Sequence, residues 1–337
     1  MPKKETVSRA LKTSIVQCEL CPKGCRIAPG QSGDCRVRVN LDGRLLAVVY
    51  GHPVTVHIDP MEKKPLFHFL PASRIFSLAT VGCNLHCKNC QNWEISQADP
   101  WDTESYEMPP ANVVSLAREN ECPSIAYTYT EPLVYYEYTL DTCIRAHENK
   151  IRNVLVTAGF ANPKPLRKLY PHVDAANIDV KAMSNDFYRR ICDAELKPVL
   201  TAIELAKEQG VWVEVTNLVI PTLNDDPKLL SALARWMVRS LGADTPLHFS
   251  AFYPRHKLID LPETPMETLV KARAIAQDQG LRYVYIGNVS GTIGENTYCP
   301  HDGGLLIERV GYSVTSNRID SEGRCPQCGN RVAGIWR

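Results

Sequence analysis

The sequence predicts an α/β fold, a partial (β/α)6-type TIM barrel that carries a small cysteine-rich extension at each end. Short runs of β-branched and aromatic residues alternate with longer runs of helical spacing, which indicates parallel strands joined by right-handed crossovers. Six or seven such units favour a barrel. A doubly wound sheet is the alternative, but no glycine-rich phosphate loop follows the first strand. Polar side chains also follow strand after strand, at the end where barrels build their sites.

The predicted strands share β-branched and aromatic composition and are bounded by turn residues. They cover residues 75–81, 124–130, 153–158, 175–180, 211–220, 247–252 and 281–286. Helical spacing of apolar residues covers 110–119, 133–149, 198–209, 228–240 and 266–279. Gly159, Gly210 and Gly280 stand where helices or strands are expected to end.

Two cysteine-bearing regions flank the predicted barrel. We expect residues 1–70 to form an N-terminal region with four cysteines and a strand pair at 45–50 and 54–58. Residues 71–290 form the barrel in this division. Residues 291–337 are expected to form a C-terminal zinc-ribbon-like or auxiliary-cluster region.

Composition gives no electrostatic case for a nucleic acid or membrane partner. The 337 residues carry a net charge of +1, and 22% of them are charged. The polar start of the chain leads into no apolar segment of a secretory signal, and no stretch reaches the length that spans a bilayer. We therefore expect a cytoplasmic protein.

Thirteen cysteines in such a protein indicate metal binding or catalysis, because the cytosol keeps thiols reduced. Three of them, Cys122, Cys143 and Cys192, are isolated and are expected to be buried small residues. The other ten fall into three sets: Cys18, Cys21, Cys25 and Cys35; Cys83, Cys87 and Cys90; and Cys299, Cys325 and Cys328.

The loop from Cys83 to Cys90 is the most informative of these sets. Cys83, Cys87 and Cys90 can each bind one iron of a [4Fe–4S] cluster, and such clusters normally take four cysteines. No fourth cysteine stands nearby in the sequence, so one iron is expected to stay open, as in catalytic metal sites. A zinc site completed by a distant ligand is the alternative.

Polar residues at the ends of later strands are expected to meet this loop at the barrel mouth. Asp179 and Lys181 share one face of their strand, which suits a polar ligand, although a simple ion pair is the alternative. For His248, a satisfied core histidine is the alternative. The full set is Glu131, Thr157, Asp179, Lys181, Asn217, His248 and Asn288.

The Cys83-x3-Cys87-x2-Cys90 loop after the first strand of a βα series resembles the radical S-adenosylmethionine (SAM) superfamily. The resemblance implies that SAM binds the fourth iron and is cleaved on reduction to a 5′-deoxyadenosyl radical, which abstracts hydrogen from a substrate. It also implies an external electron donor such as ferredoxin or flavodoxin.

Within that superfamily the chain resembles the pyruvate formate-lyase activating enzyme branch. Asn177-Ile178-Asp179-Val180-Lys181 is similar to the branch's Asp-x-Lys element, which implies that Asp179 and Lys181 contact SAM. Glu131 stands where the superfamily has a Gly-Gly-Glu motif, and His248 resembles a histidine near the adenosyl group. Asn89 replaces a frequently aromatic residue and, with Gln91, is expected beside the cofactor.

Over its full length the chain resembles the AmmeMemoRadiSam group. The segments that carry this resemblance include Cys18-Glu19-Leu20-Cys21-Pro22-Lys23-Gly24-Cys25, Glu62-Lys63-Lys64-Pro65-Leu66, and Arg324-Cys325-Pro326-Gln327-Cys328-Gly329. The resemblance implies Memo-like and AMMECR-like partner proteins and gives no substrate. A glycyl-radical-enzyme activase and a non-catalytic iron–sulfur or zinc protein are the alternative functions.

The two terminal cysteine sets are expected to bind metal. The N-terminal set can close a tetrathiolate site, and its spacing fits zinc and a second [4Fe–4S] cluster equally well. The C-terminal set resembles a zinc ribbon in which one cysteine is missing. Asp302 or His301 can supply the fourth ligand there, and a three-cysteine cluster is the alternative.

Overall fold

The central sheet of the protein has eight strands whose spatial order follows their order in the chain. The structure, a computed structural model, describes residues 3–4, 8–10, 15–289 and 293–337. The first strand runs antiparallel to the second, and the remaining neighbours are parallel. This arrangement confirms the α/β fold of a partial TIM barrel. The strands are Thr55–Pro60, Arg74–Ala79, Ser124–Tyr127, Arg152–Thr157, Ala175–Asp179, Trp212–Val219, Leu247–Ala251 and Val284–Gly287.

Helices connect the parallel strands and bury one apolar face against the sheet. In Pro227–Ser240 the Asp226 side chain accepts a hydrogen bond from the Lys228 N–H, and proline occupies the first helical position, so the start of the helix is fixed. Its buried residues recur at helical spacing, at Leu230, Leu233, Ala234 and Met237. The main helices are Pro110–Glu119, Tyr136–Glu148, Pro163–Leu169, Leu196–Glu208, Pro227–Ser240 and Met266–Asp278.

Helix Pro163–Leu169 falls outside the predicted helices. Pro163 and Pro165 interrupt the sequence pattern, yet both lie in the first turn, where a helix tolerates proline. Leu166 and Leu169 are buried and anchor this helix to the core. The predicted helix at 133–149 begins later, at Tyr136.

The strand pair predicted at 45–50 and 54–58 is wrong. Arg44–Ala47 instead pairs antiparallel with Arg38–Leu41, and Thr55–Pro60 pairs with Arg74–Ala79 of the central sheet. Asp42 and Gly43 both have positive φ, +53° and +78°, which is the geometry of a tight two-residue hairpin. Because this hairpin pairs Arg44–Ala47 with Arg38–Leu41, the strand predicted at 45–50 does not pair with the strand predicted at 54–58.

Small sheets form on both sides of the barrel. Near the N-terminus, Val16–Cys18 pairs with Ser8–Ala10 and Arg26–Ile27, while Lys3–Lys4 extends the hairpin sheet. Near the C-terminus, Leu305–Val310 pairs with Thr297–Tyr298 and Ser313–Asn317. The other short elements are Met61–Lys63, Trp93–Ser96, Tyr170–His172, Asn185–Phe187, Tyr188–Cys192 (a π-helical turn) and Ile293–Glu295.

The C-terminal region packs against the segment that links the first two strands of the sheet. Ile335 exchanges backbone hydrogen bonds with His68 and Leu70, both at 2.7 Å. The buried Arg309 guanidinium donates to the Phe67 carbonyl at 2.8 Å and lies 4.2 Å from the Phe67 ring centroid. Within the described residues, every helix is too short or too polar to cross a bilayer.

Candidate functional site

A cavity of about 560 Å³ opens where the parallel strands end. It is lined by the three cysteines of the Cys83–Cys90 loop and by all the predicted cofactor-binding residues. Thr157 and Asn288 also line it. Convergence at the carboxyl ends of parallel strands explains how residues far apart in sequence meet here. The predicted residues on its wall are Cys83, Cys87, Asn89, Cys90, Gln91, Glu131, Asp179, Lys181 and His248.

The cysteine loop is held on two sides. The backbone N–H groups of His86 and Lys88 donate to the carbonyls of Cys192 and Ile191, each at 2.9 Å. On the other side, the Asn92 side-chain amide donates to the Tyr129 carbonyl at 2.8 Å. These bonds fix the loop between the π-helical turn and the end of the third strand, so its thiols have fixed positions.

A neighbouring group contacts each of the three loop thiols. The Leu85 N–H points at the Cys83 sulfur at 3.4 Å, and the Cys90 sulfur lies 3.3 Å from the Ser96 hydroxyl. Cys192, predicted as a buried small residue, is fully buried, and its thiol contacts Cys87. The cavity wall does not include Cys192 among the described residues.

Glu131 is a buried carboxylate held by three donors. Its Oε1 accepts from the Thr157 hydroxyl at 2.6 Å and the Leu133 N–H at 3.2 Å, and its Oε2 accepts from the Ala158 N–H at 2.8 Å. Burial raises the pKa of Glu131, and these hydrogen bonds oppose the rise. The carboxylate is therefore fixed in place at the cavity wall.

Asp179 and Lys181 form an ion pair at the end of the fifth strand, with Nζ 2.9 Å from Oδ2. Burial disfavours the charged amine, but Asp179 and the nearby thiols of Cys87 and Cys192 hold the Lys181 pKa well above its ordinary value. The ammonium is thus positioned close to the cysteine loop. The pair offers one charge of each sign to a polar ligand.

Asn217 supports this pair from outside the cavity. Its side-chain amide donates to the Val180 carbonyl at 2.7 Å, and the Asn224 amide donates to the Lys181 carbonyl at the same distance. Asn217 is buried and does not belong to the described cavity wall. The sequence placed it at the right strand end, but its contact is with the backbone that carries Lys181.

His248 lines the cavity, and its Nε2 forms a hydrogen bond with a residue that is not on the cavity wall. That nitrogen lies 2.7 Å from Oε2 of Glu214, a residue that the sequence analysis did not select. Glu214 is fully buried and also accepts from the backbone N–H groups of Phe67 and His68. Hydrogen bonds from these groups outweigh burial and lower the Glu214 pKa. His248 is both a fixed core histidine and part of the cavity wall.

A charged cluster on the same wall was also absent from the predicted site. The buried Lys64 ammonium lies 2.6 Å from Oδ2 of Asp59 and over the Tyr129 ring, while the Tyr129 hydroxyl donates to Asp59. Beside it, Oε2 of the buried Glu62 has no hydrogen bond from any described residue. In the sequence, Glu62 and Lys64 belong to the charged run before Pro65, a segment that also carries the resemblance to the AmmeMemoRadiSam group.

The C-terminal cysteine set is compact. The Cys299 and Cys328 sulfurs are 3.6 Å apart, and the Cys325 sulfur lies 3.3 Å from Oδ2 of Asp302. All four ligand atoms lie within 4.8 Å of one another. The structure therefore brings Asp302, rather than His301, to the fourth position of a site that could hold a metal ion.

The N-terminal set lies around a second, small cavity. Cys18, Cys21, Cys25 and Cys35 all line it, as does Asn84 of the Cys83–Cys90 loop. Three of these cysteines are buried, and Cys25 is partly exposed.

Comparisons with known proteins agree with this geometry. Residues 77–232 match the family described as the Radical SAM superfamily. The chain is 49% identical to the uncharacterized protein MJ0808 of Methanocaldococcus jannaschii over 323 residues, which covers 96% of each chain. It is 22% identical to the pyruvate formate-lyase-activating enzyme of Clostridium pasteurianum over 160 residues, covering 45% of this chain and 65% of that protein.

A solved structure shows the same fold. A radical SAM methyltransferase from Sphaerobacter thermophilus aligns with a TM-score of 0.52 and 18% identity, covering 67% of this chain and 70% of the other. At this identity the similarity concerns the fold.

Proposed function

We propose that the chain is a radical SAM enzyme, which reductively cleaves SAM at a [4Fe–4S] cluster bound by Cys83, Cys87 and Cys90; the match of residues 77–232 to the Radical SAM superfamily supports this. The observation that carries the proposal is that these three thiols line the same cavity as Glu131, Asp179 and Lys181. When bound, the cluster and SAM supply a 5′-deoxyadenosyl radical that abstracts hydrogen from the substrate.

The residues of the cavity fit these groups. Three soft thiolates suit an iron–sulfur cluster, and they leave one iron for a ligand that is not protein. Asp179 and Lys181 present opposite charges, which suits the charged amino and carboxylate groups of SAM. Glu131 adds a carboxyl group that three hydrogen-bond donors hold in place at the same wall.

The remaining residues would surround the adenosyl part of SAM. His248 lies with its ring edge-to-face on Phe67, 4.8 Å between centroids, and so presents a rigid aromatic surface. Asn89 and Gln91 flank Cys90 and can supply amide hydrogen bonds.

This function has two forms, which differ in the class of substrate. The similarity to the pyruvate formate-lyase-activating enzyme of C. pasteurianum supports a glycyl-radical-enzyme activase. A small molecule or a protein handled with Memo-like and AMMECR-like partners is the other form. A source genome without any glycyl-radical enzyme would exclude the activase. In either form an external donor such as ferredoxin or flavodoxin supplies the electron, in a cytoplasmic setting.

The first test is SAM cleavage by anaerobically reconstituted protein under a strong reductant. We expect 5′-deoxyadenosine and methionine as products, and we expect Cys87→Ala to abolish them. Cys192→Ala is the matched control, since it removes the adjacent buried thiol and should keep both iron and cleavage. Loss of the cluster in Cys192→Ala would show a closed four-cysteine site, and the protein would then be an electron carrier.

The second test separates SAM binding from cluster binding. Asp179→Ala leaves Lys181 without its partner, so SAM affinity should fall while the iron content per chain stays the same. Equilibrium dialysis with labelled SAM and iron analysis measure the two quantities. Loss of iron in this variant would mean that Asp179 supports the cysteine loop instead.

We further propose that the C-terminal set binds zinc through Cys299, Cys325, Cys328 and Asp302. Zn–S bonds of about 2.3 Å in a tetrahedron hold neighbouring sulfurs about 3.8 Å apart. The distance of 3.6 Å between the Cys299 and Cys328 sulfurs is close to this value. Zinc also accepts a carboxylate oxygen, so Asp302 completes a closed structural site.

A further inference from the structure

Exposed cations lie around one side of the cysteine loop. Lys88 stands between Cys87 and Cys90, and its side chain is exposed. Arg255 and Lys257 are exposed on the loop that follows the seventh strand of the sheet. The Lys257 N–H donates to the Lys88 carbonyl at 2.9 Å, so this second loop lies directly against the first. The side chains of these three cations form no ion pair or hydrogen bond with any described residue.

The π-helical turn Tyr188–Cys192 adds a fourth cation to the same surface. The Ile191 carbonyl of this turn accepts from the Lys88 N–H at 2.9 Å. Arg189, in the same turn, is exposed and has no ionic partner in the part of the chain that the structure describes. Backbone hydrogen bonds therefore join the three segments that carry these cations. We define the basic patch as Lys88, Arg189, Arg255 and Lys257.

The segments that carry the basic patch contain few carboxylates. Within residues 86–94, 188–193 and 255–258 the acidic residues are Glu94 and Asp193. Asp193 already pairs with a lysine of the N-terminal region at 2.7 Å. The patch therefore carries net positive charge, although the chain as a whole is close to neutral at +1. A local field of this kind attracts a partner with an acidic surface.

An exposed aromatic pair adjoins the basic patch. The rings of Trp93 and His256 stack with their centroids 5.1 Å apart, and Trp93 is exposed. Burial and the neighbouring Lys257 charge lower the pKa of His256, so at neutral pH this residue contributes an aromatic ring and no charge. Tryptophan and arginine are enriched at the centres of protein–protein interfaces. Cations beside an exposed tryptophan thus favour a protein as the partner.

The basic patch lies outside the cavity but next to its cysteines. The described cavity wall includes none of the four patch residues, so SAM and a substrate bound in the cavity would leave the patch uncovered. Neighbouring Cα atoms are about 3.8 Å apart, which places the Lys88 backbone one peptide unit from Cys87. The Cys87 thiol lines the cavity. A partner on the patch is therefore separated from the thiols mainly by the cysteine loop itself.

We propose that the basic patch and the Trp93–His256 pair dock an acidic one-electron donor protein against the outer side of the cysteine loop. The donor passes one electron to the cluster bound by Cys83, Cys87 and Cys90. The redox centre of the donor is oxidised by one electron, the cluster is reduced by one, and no bond forms or breaks in this step. Opposite charges speed the encounter of the two proteins. This assignment rests on the proposed function.

Binding of oxidised flavodoxin, an acidic flavoprotein, tests the patch without any chemistry. Isothermal titration of anaerobically reconstituted protein at low ionic strength should show that R255E/K257E binds roughly tenfold or more weakly than wild type. The control K168E/K271E makes the same change in charge at exposed helix positions away from the patch and should bind as wild type does. Added salt should weaken binding by wild type.

Three results of the titration would overturn the docking surface. These are unchanged affinity in R255E/K257E, an equal loss of affinity in K168E/K271E, and absence of binding by wild type at low ionic strength. Since no SAM is cleaved in this experiment, its outcome does not depend on the activity of the protein.

Electron delivery tests what the docking achieves. With limiting reduced flavodoxin, R255E/K257E should form 5′-deoxyadenosine about tenfold more slowly than wild type. With photoreduced 5-deazariboflavin, a small uncharged reductant that needs no docking surface, the two proteins should react at the same rate. Equal slowing with both reductants would overturn the proposal, because Arg255 and Lys257 would then support the cluster site. Absence of cleavage by wild type with 5-deazariboflavin would instead refute the proposed function.

Discussion

The substitution Glu131→Gln tests whether the carboxylate is held as the structure shows. Leu133 and Thr157 donate to Oε1, and Ala158 donates to Oε2. Glutamine keeps only one acceptor oxygen. In either orientation of the amide, one backbone N–H, of Leu133 or of Ala158, then faces an NH₂ group and has no acceptor.

The magnitude follows from these contacts. A hydrogen bond to a charged group contributes about 1.5–3 kcal/mol, and a buried donor without an acceptor costs about 1–3 kcal/mol. The neutral amide relieves part of the cost of burying a charge. We therefore expect the free energy of unfolding to fall by about 2–4 kcal/mol.

Urea unfolding of anaerobically purified protein, followed by circular dichroism, measures this change. Glu119→Gln, the same substitution at an exposed helix end, is the control and should change stability by less than about 0.5 kcal/mol. A change of that small size in Glu131→Gln would refute the three-donor arrangement. Iron content and SAM affinity, measured on the same samples, then report whether Glu131 also contacts the cofactor.

Three further predictions concern other parts of the molecule. Gly82→Ala should destabilise the protein by about 1–3 kcal/mol more than Gly43→Ala does, because both glycines have positive φ but only Gly82 lies against the Cys35 carbonyl. Equal melting temperatures of the two variants would contradict this close contact. Burial lowers the pKa of His68 to about 4, below its value of about 6.5 in the unfolded chain. Between these two pH values the unfolded chain binds more protons than the folded protein does. The free energy of unfolding therefore falls as the pH drops through that range. Between pH 7.5 and 5.5 the wild type should lose about 1.3 kcal/mol more than His68→Asn, and parallel pH profiles of urea unfolding for the two proteins would be the contrary result. Asp302→Ala should weaken zinc binding by roughly tenfold or more in a chelator competition, and unchanged affinity would exclude Asp302 as a ligand.

The sequence predicted the parts of the site that follow from strand periodicity. Glu131, Asp179 and Lys181 stand at strand ends, and parallel strands bring such positions to one edge. Glu214 could not be found in this way. It lies inside its strand, and its partners His68 and His248 are near it only after the chain has folded.

Local turn chemistry explains the errors in the fold. The positive φ of Asp42 and Gly43 closes a hairpin, and this local geometry overrides the β propensity that favoured pairing across residues 50–54. Two prolines in the first turn hid helix Pro163–Leu169 from the periodicity. Asn217 was assigned to the correct strand end, but sequence cannot tell whether a side chain turns toward the cavity or toward a backbone carbonyl.

The contact between His68 and the C-terminal segment has a consequence for biosynthesis. The buried His68 ring contacts the Ala333 carbonyl, 265 residues further along the chain. Ribosomes add about 5–20 residues per second, so roughly 13–53 s separate the two residues at the exit tunnel. During that interval the segment that carries His68 lacks the C-terminal residues that contact it in the folded chain, so this part of the barrel is completed only after nearly the whole chain has been made.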